Sequence, residues 1–158
     1  MPTDLDDLLC RYRDLAREDR TKFDRAAFWV DIASRQWTMS VSASFASLVS
    51  AVESITERGT KHSIYCQQCD KQVSHESPGA TEKFRLFLET YAPDPALRER
   101  RNKMYALRSG ILHGGDLMLI DVDLDFAWDP PGWNERELYE ELSSTTKIAL
   151  RNWLKARR

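Results

Sequence analysis

The chain has 158 residues, a length typical of one domain with its own hydrophobic core. Apolar residues make up 42% and charged residues 30% of the sequence, which excludes a disordered polar tract. No apolar run approaches the roughly 18–20 residues that cross a bilayer. The chain starts with Met-Pro-Thr-Asp, an acidic start without the apolar region of a signal peptide. We therefore expect a cytoplasmic protein without a membrane partner. Because the net charge is −2, affinity for nucleic acid would require a local basic patch.

Apolar residues recur mainly at helical spacing, and only six glycines and six prolines interrupt the chain. A first amphipathic helix is predicted after Thr3 or Asp4, either of which suits the N-cap position, with Cys10 in the core. The apolar residues of this first helix are Leu5, Leu8, Leu9, Tyr12 and Leu15. The next apolar patterns consist of Phe28, Trp29 and Ile32, and then of Val41, Phe45, Leu48, Val52 and Ile55. The last of these predicts a core helix that ends at Arg58 and Gly59.

Residues 59–80 are polar and predict an inserted loop. Two helices should follow as an antiparallel pair, one stopped by Pro93 and one ending near Gly114 and Gly115. From Ile120 the pattern alternates with period two, which predicts an extended segment up to Pro130. Asn134, with Glu137 three residues later, is typical of the start of a final helix.

The predicted fold is therefore an all-α bundle of four to five main helices in a single domain, residues 1–158. It carries a cysteine-bearing inserted loop and a short extended segment before the last helix. In that segment Asp121, Asp123 and Asp125 lack the glycine and the glutamate of a calcium-binding loop, so we interpret them as the solvent face of an edge strand. Trp128 and Trp133 are expected to be packing residues.

Residues 108–113 read Arg-Ser-Gly-Ile-Leu-His at a predicted helix end. On a straight helix, five positions turn the side chains of Arg108 and His113 about 140° apart and ~7.5 Å along the axis. The two can share one site in a chain only if the helix ends between them, and Gly110 favours such an ending. Both residues also suit an ordinary helix C-terminus, where cations meet the negative end of the dipole.

The segment 105–115, together with the segment 45–54 and its embedded Glu53, resembles the HEPN domain family in its Apea-like branch. The mark of that family is an arginine and, four to six residues later, a histidine at a helix end. The likeness covers roughly residues 25–155, with residues 108–113 as its specific core. It implies a helical bundle that dimerises, so that two motifs face each other, and in many members metal-independent RNA cleavage.

The resemblance assigns catalytic roles to Arg108 and His113 and supporting roles to Ser109 and Glu53. Histidine titrates near neutral pH and can transfer protons, whereas arginine keeps its charge and matches phosphate geometry. Ser109 could donate to a phosphate oxygen, in a position where many catalytic members have Asn, Asp or His. Glu53 could orient Arg108 through a charge-assisted pair.

The segment before the motif is the most basic in the chain. Its cations are Arg98, Arg100, Arg101 and Lys103. They could attract an RNA backbone without reading its sequence, since no aromatic residues alternate with them for base stacking. The alternative is a solvated helix face.

Two cysteines in the inserted loop, Cys66 and Cys69, have the spacing of ligands to one zinc ion. His62 and His75 flank them and could complete a structural site, as could the cysteines of a second copy. Reduced surface thiols or, less readily, a redox pair are the alternatives.

The function expected from the resemblance is a metal-independent endoribonuclease with a composite dimer site, in toxin–antitoxin or antiviral defence. Two alternatives stay open: a non-catalytic RNA-binding or dimerisation module, and a toxin-like protein held inactive by a cognate inhibitor or antitoxin. Catalysis in this interpretation needs no cofactor, and any zinc would be structural.

Overall fold

The computed structural model describes residues 3–57, 59–68, 70–122 and 130–157. This part of the chain is predominantly helical, as the sequence predicts. Its elements are α1 (Leu5–Asp14), α2 (Arg17–Gln36), α3 (Val41–Ile55), β1 (Thr60–Cys66), β2 (Lys71–Ser77), α4 (Ala80–Tyr91), α5 (Arg98–Leu112), α6 (Leu119–Val122) and α7 (Pro130–Ala156). A 3₁₀ turn, Pro95–Leu97, leads into α5. None of these helices has the length and apolar character that a membrane crossing requires.

Helix α3 lies at the centre of the bundle, because small or apolar residues surround it on every side. Helices α2, α4, α5 and α7 all pack against it. Phe45, Leu48 and Val52 are at most 1% exposed. The side chain of Ser40 caps the helix by accepting a hydrogen bond from the amide of Ala43 (3.1 Å). The apolar stripe that the sequence predicts therefore forms the main core.

The buried face of α2 differs from the predicted one. Phe28 and Trp29 are 57% and 36% exposed, whereas Ala26 and Ala33 are completely buried. Small side chains allow the two helix backbones to approach closely, so the tight packing of α2 on α3 selects alanines at the contact. In the same way Cys10, expected in the core, is exposed on α1.

The inserted segment is a β-hairpin, which corrects the predicted loop. Strands β1 and β2 are antiparallel, with Thr60 opposite Ser77 and Cys66 opposite Lys71. Asp70 in the turn has a positive φ of 54°, a conformation that aspartate tolerates better than most residues. Helix α3 also ends earlier than predicted, because Thr56 already has extended backbone (φ −73°, ψ 150°).

The segment from Ile120 is also different from the prediction of an extended strand. Residues Leu119–Val122 form the short helix α6. Asp121 is exposed but lies in this helix and not in a strand, and its carboxylate accepts hydrogen bonds at the start of α3. The predicted strand residues 123–126, and Trp128, lie outside the described residues.

The last helix begins at Pro130, four residues before the predicted Asn134. Proline suits the first turn of a helix because it has no amide hydrogen to leave unpaired. Trp133, expected to pack, is 58% exposed. Further along α7, Trp153 is 1% exposed and joins the core, and Arg151 and Lys155 both bind Asp4 (2.6 Å each), which attaches the start of α1 to α7.

Candidate functional site

Helix α5 continues through Gly110 and ends at Leu112, with His113 as its C-cap residue. The chain leaves the helix at Gly114, which has a left-handed backbone (φ 73°). The amide of Gly114 donates to the carbonyl of Ile111 (3.1 Å), and that of Gly115 donates to the carbonyl of Gly110 (2.9 Å). These are the two hydrogen bonds of a Schellman motif. Gly114 and Gly115 therefore end the helix, as the sequence predicts. The helix nevertheless continues past Gly110, so it does not bring the side chains of Arg108 and His113 together.

His113 is exposed at the C-cap of α5, and its backbone remains close to helical (φ −90°, ψ 2°). Its amide donates to the carbonyl of Ser109 (3.1 Å). With the helix continuous up to this point, the side chains of Arg108 and His113 leave it about 140° apart and ~7.5 Å apart along the axis. One chain therefore does not direct both groups at a single small ligand.

Arg108 belongs to a cluster with Glu53 and Tyr105. Its Nη2 donates to Oε2 of Glu53 (2.6 Å), and the Tyr105 hydroxyl donates to Oε1 of the same carboxylate (2.7 Å). The guanidinium also lies over the Tyr105 ring, 5.8 Å from its centroid. The contact between Glu53 and Arg108 that the sequence suggests is thus present. It leaves Nε of Arg108 buried without a hydrogen-bond partner among the described residues.

Tyr105 is the residue of this cluster that sequence reasoning missed. Burial, and next the hydrogen bond to Glu53, raise the pKa of Tyr105 to about 12. The spacing in the sequence could have indicated Tyr105, because residues three positions apart, such as Tyr105 and Arg108, share a helix face. What the spacing could not supply was the position of Glu53, which comes from α3.

The side chain of Asp116 occupies the space beside Gly110. A Cβ atom at Gly110 would lie 1.7 Å from Oδ2 of Asp116, so a larger residue there would require this exposed carboxylate to move. The Asp116 carboxylate therefore lies directly over the helix between Arg108 and His113. The amide of Asp116 also donates to the Gly110 carbonyl (3.2 Å). Ser109 is half-buried beside this glycine.

A groove of about 330 Å³ lies between α2, the first half of α3 and the end of α5. Leu112 and Leu117, on either side of His113 in sequence, line it and are 54% and 59% exposed. Trp29 lines its other side. Exposed leucines therefore lie beside the end of α5, in a groove that serines and Gln36 also line.

The four predicted RNA-binding cations do not form one continuous surface. Arg101 is 2% exposed, and its Nη2 donates to the carbonyl of Ala92 (2.7 Å) at the end of α4. This burial, which also lowers the pKa of Arg101, removes it from the predicted set. Arg100 binds Glu137 and Glu141 (3.3 and 2.7 Å).

The two remaining cations of that segment are exposed. Arg98 lies 3.6 Å from Glu89, and Lys103 lies on the outer face of α5. They are five residues apart on α5, so helical geometry turns their side chains about 140° from each other.

The hairpin separates the histidines from the cysteine pair. His62 is opposite His75, and Cys66 follows His62 by four residues along β1. Four strand residues span ~13 Å, which is too far for Cys66 and His62 to reach one ion with bonds of ~2.3 and ~2.1 Å. Cys69 and the side chains of Cys66 and His75 lie outside the described residues. Among the described residues, no group of three or more potential ligands surrounds a common point.

Comparison with protein-family models, with curated proteins and with solved structures found no match for this chain. The likeness to HEPN domains therefore depends on the residues of segments 45–54 and 105–115 alone.

Proposed function

We propose that the protein is a metal-independent endoribonuclease of HEPN type whose site is shared by two copies of the chain. The observation that supports this most directly is the contrast at the end of α5. Arg108 is held by a carboxylate, whereas His113 is exposed and points about 140° away. One chain thus supplies two halves that do not meet, and a second copy can bring them to one substrate.

The proposed reaction transfers the phosphoryl group from the 5′-oxygen to the neighbouring 2′-oxygen. His113 of one protomer takes the proton of the 2′-hydroxyl, and the oxygen forms a bond to phosphorus. The bond from phosphorus to the 5′-oxygen breaks, and His113 of the other protomer donates a proton to that oxygen. The products are a 2′,3′-cyclic phosphate and a 5′-hydroxyl end. Arg108 stabilises the charge on the phosphoryl oxygens in the transition state.

Glu53 and Tyr105 act as positioning residues in this proposal. The Glu53 carboxylate fixes one edge of the Arg108 guanidinium, so the remaining N–H groups keep a defined direction. Tyr105 fixes the carboxylate in turn. A preorganised donor costs no reorganisation at the moment of reaction.

A homodimer also fits the apolar surface around His113. Leu112 and Leu117 are more than half exposed, and association of two copies through the end of α5 would bury both. Defence against phage or a toxin–antitoxin pair, with a cognate inhibitor, is the cellular context that the family resemblance suggests.

The proposal is tested by incubating structured and single-stranded RNA with the protein in excess chelator. We expect cleavage that leaves 2′,3′-cyclic phosphate ends, and we expect His113→Ala and Arg108→Ala to reduce the rate by at least ~100-fold. Arg13→Ala, which removes an exposed cation of α1 (76% exposed) outside the proposed site, is the matched control. Cleavage that survives in His113→Ala contradicts the proposed chemistry.

A non-catalytic RNA-binding module is the second candidate, and Ser109 favours it, because many catalytic members of the resembled family have Asn, Asp or His at this position. It predicts RNA binding that persists in His113→Ala, with no cleavage by the unmodified protein.

A further inference from the structure

A polar cleft of about 870 Å³ lies at the end of the bundle where α2 begins and α3 ends. The first turns of α2, the last turn of α3 and Lys83 of α4 line it. Its volume is within the range of about 300–1,000 Å³ that is typical of ligand sites. No aromatic side chain is among its described lining residues.

The carboxylates of the cleft already have cationic partners. Glu18 and Glu57 both bind Nζ of Lys22 (2.9 Å each), and the side chain of Lys22 is only 16% exposed. Glu53 binds Arg108, as described above. The pair of Glu53 with Arg108 is neutral, whereas Glu18 and Glu57 share one cation and keep a net charge of −1.

Two arginines in the lining, Arg17 and Arg25, are not neutralised in this way. Both are exposed, and among the described residues neither guanidinium has a hydrogen bond or an ion pair. They are eight residues apart on α2, so they share a helix face and are separated by ~12 Å along its axis. A locally positive surface thus exists on a chain whose net charge is −2.

The hydroxyl groups of the cleft are already used as donors. Thr21 donates to the carbonyl of Arg17 (2.9 Å), Ser54 to that of Ala51 (2.8 Å) and Thr56 to that of Glu53 (2.9 Å). The strong donors left for a ligand are therefore the guanidinium groups of Arg17 and Arg25. Such donors suit phosphate oxygens.

We propose that this cleft binds the phosphate backbone of single-stranded RNA through Arg17 and Arg25 and directs the strand to Arg108. This inference rests on the proposed ribonuclease function. Guanidinium groups ~12 Å apart can bind different phosphate groups of one strand. Glu53 lines the cleft and binds Arg108, so a strand that leaves the cleft along α3 meets Arg108 next. Without stacking residues the binding is independent of base sequence.

The test compares Arg17→Gln/Arg25→Gln with Arg13→Gln/Arg35→Gln, all in the His113→Ala background so that RNA stays intact. The control pair is exposed (76% and 74%) and changes the net charge equally. Binding of a fluorescent oligouridylate and of a mixed-sequence strand is measured by anisotropy over a range of salt concentrations. We expect the cleft variant to bind both strands several-fold more weakly and to lose ~1.4 from the slope of log K against log salt. The control should keep the slope.

Equal losses in the two variants, or no loss in either, overturn the cleft proposal. Displacement of the strand by inorganic phosphate at equal phosphate concentration also overturns it, because a small-anion site would then explain the data. If the chain with only His113→Ala does not bind RNA at all, the cleft is not an RNA site. Cleavage assays distinguish this proposal from the ribonuclease function. If the unmodified protein cleaves RNA and Arg17→Gln/Arg25→Gln cleaves it with the same KM, the ribonuclease function stands and the cleft proposal is wrong.

Discussion

The Glu53 carboxylate joins two helices through single side chains. Its two oxygens accept one hydrogen bond each, from Tyr105 and Arg108 of α5. Hydrogen bonds to a charged acceptor are roughly twice as strong as neutral ones, so the arginine keeps one position instead of many. The hydrogen bond from Tyr105 to Glu53 favours the neutral form of the tyrosine hydroxyl, since only that form can donate.

Tyr105→Phe tests this coupling through pH. The folded pKa of about 12 lies above the ~10 of an unfolded tyrosine. The stability that the hydroxyl contributes is therefore fully present below pH ~10 and is lost as the pH rises through the folded pKa. We expect the variant to lower the free energy of unfolding by about 1 kcal/mol at pH 7, with a difference that shrinks above pH ~10.

Urea unfolding at several pH values measures the effect of Tyr105→Phe. Tyr91→Phe is a suitable control, because the Tyr91 hydroxyl has no hydrogen bond among the described residues and its removal should change little. A difference between Tyr105→Phe and the unmodified protein that stays constant up to high pH would contradict the role assigned to the bond with Glu53.

At the scale of elements, α6 holds the N-terminus of α3. Asp121 accepts hydrogen bonds from the amides of Val41 (2.7 Å) and Ser42 (2.8 Å) and from the hydroxyl of Ser40 (2.8 Å). The first amides of a helix have no partner within it, and a negative charge there is favourable. Met118 donates in return to the hydroxyl of Ser42 (2.8 Å). A segment distant in sequence thus completes the cap of the central helix.

Asp121→Asn should weaken this cap in a pH-dependent way. Burial alone would raise the pKa of Asp121, but the hydrogen bonds from Ser42, Ser40 and Val41 together lower it. The stability that the Asp121 carboxylate contributes is therefore present above the pKa of ~3.9 of an unfolded aspartate, and it is lost as the pH falls through the folded pKa of Asp121.

The expected loss in Asp121→Asn at pH 7 is about 1–2 kcal/mol. Thermal unfolding at neutral and acidic pH checks this, with Asp14→Asn on the exposed end of α1 as the control. A difference in Tm that persists unchanged in acid would mean that the carboxylate charge is not what stabilises the cap.

The hairpin is the second element whose role can be tested. We propose that Cys66 and Cys69 bind a structural zinc ion together with the same pair of a second copy. The strand register places His62 and His75 too far from Cys66 to bind the same ion. Metal analysis of freshly purified, reduced protein should find about one zinc per two chains. Cys66→Ser/Cys69→Ser should lack the metal, whereas His62→Ala/His75→Ala should keep it. Protein without zinc removes this proposal.

At the scale of the whole molecule, the composite site requires two copies. Leu112→Asp/Leu117→Asp places two charges on the apolar surface beside His113 and should convert a dimer to a monomer that no longer cleaves RNA. Leu9→Asp/Leu86→Asp, at 56% and 42% exposure, is the matched control and should remain dimeric. Sedimentation velocity gives the assembly state. An unmodified protein that is monomeric at all concentrations contradicts the proposed site.

Local sequence patterns predicted the elements better than the contacts between them. The spacing of Val41, Phe45 and Ile55 predicted α3 because helix periodicity is a local property. The alternation from Ile120 was wrong for residues 120–122, which are helical, because a short alternating pattern does not exclude a single helical turn. The hairpin was missed because its strands are polar and bury little, so no apolar face marks them.

The sequence by itself determined that Arg108 and His113 lie near the end of one helix, because helix geometry and the glycine stop at Gly114 depend on neighbouring residues only. Only the tertiary structure decided that the helix continues past Gly110 and that Tyr105 and Glu53, 52 residues apart, share a hydrogen bond. Such pairs form when helix packing brings distant faces together, and packing minimises exposed apolar area over the whole chain. The tertiary structure, and not the apolar pattern, also placed Ala26 at the contact and Phe28 at the surface, because small side chains let α2 pack closely on α3.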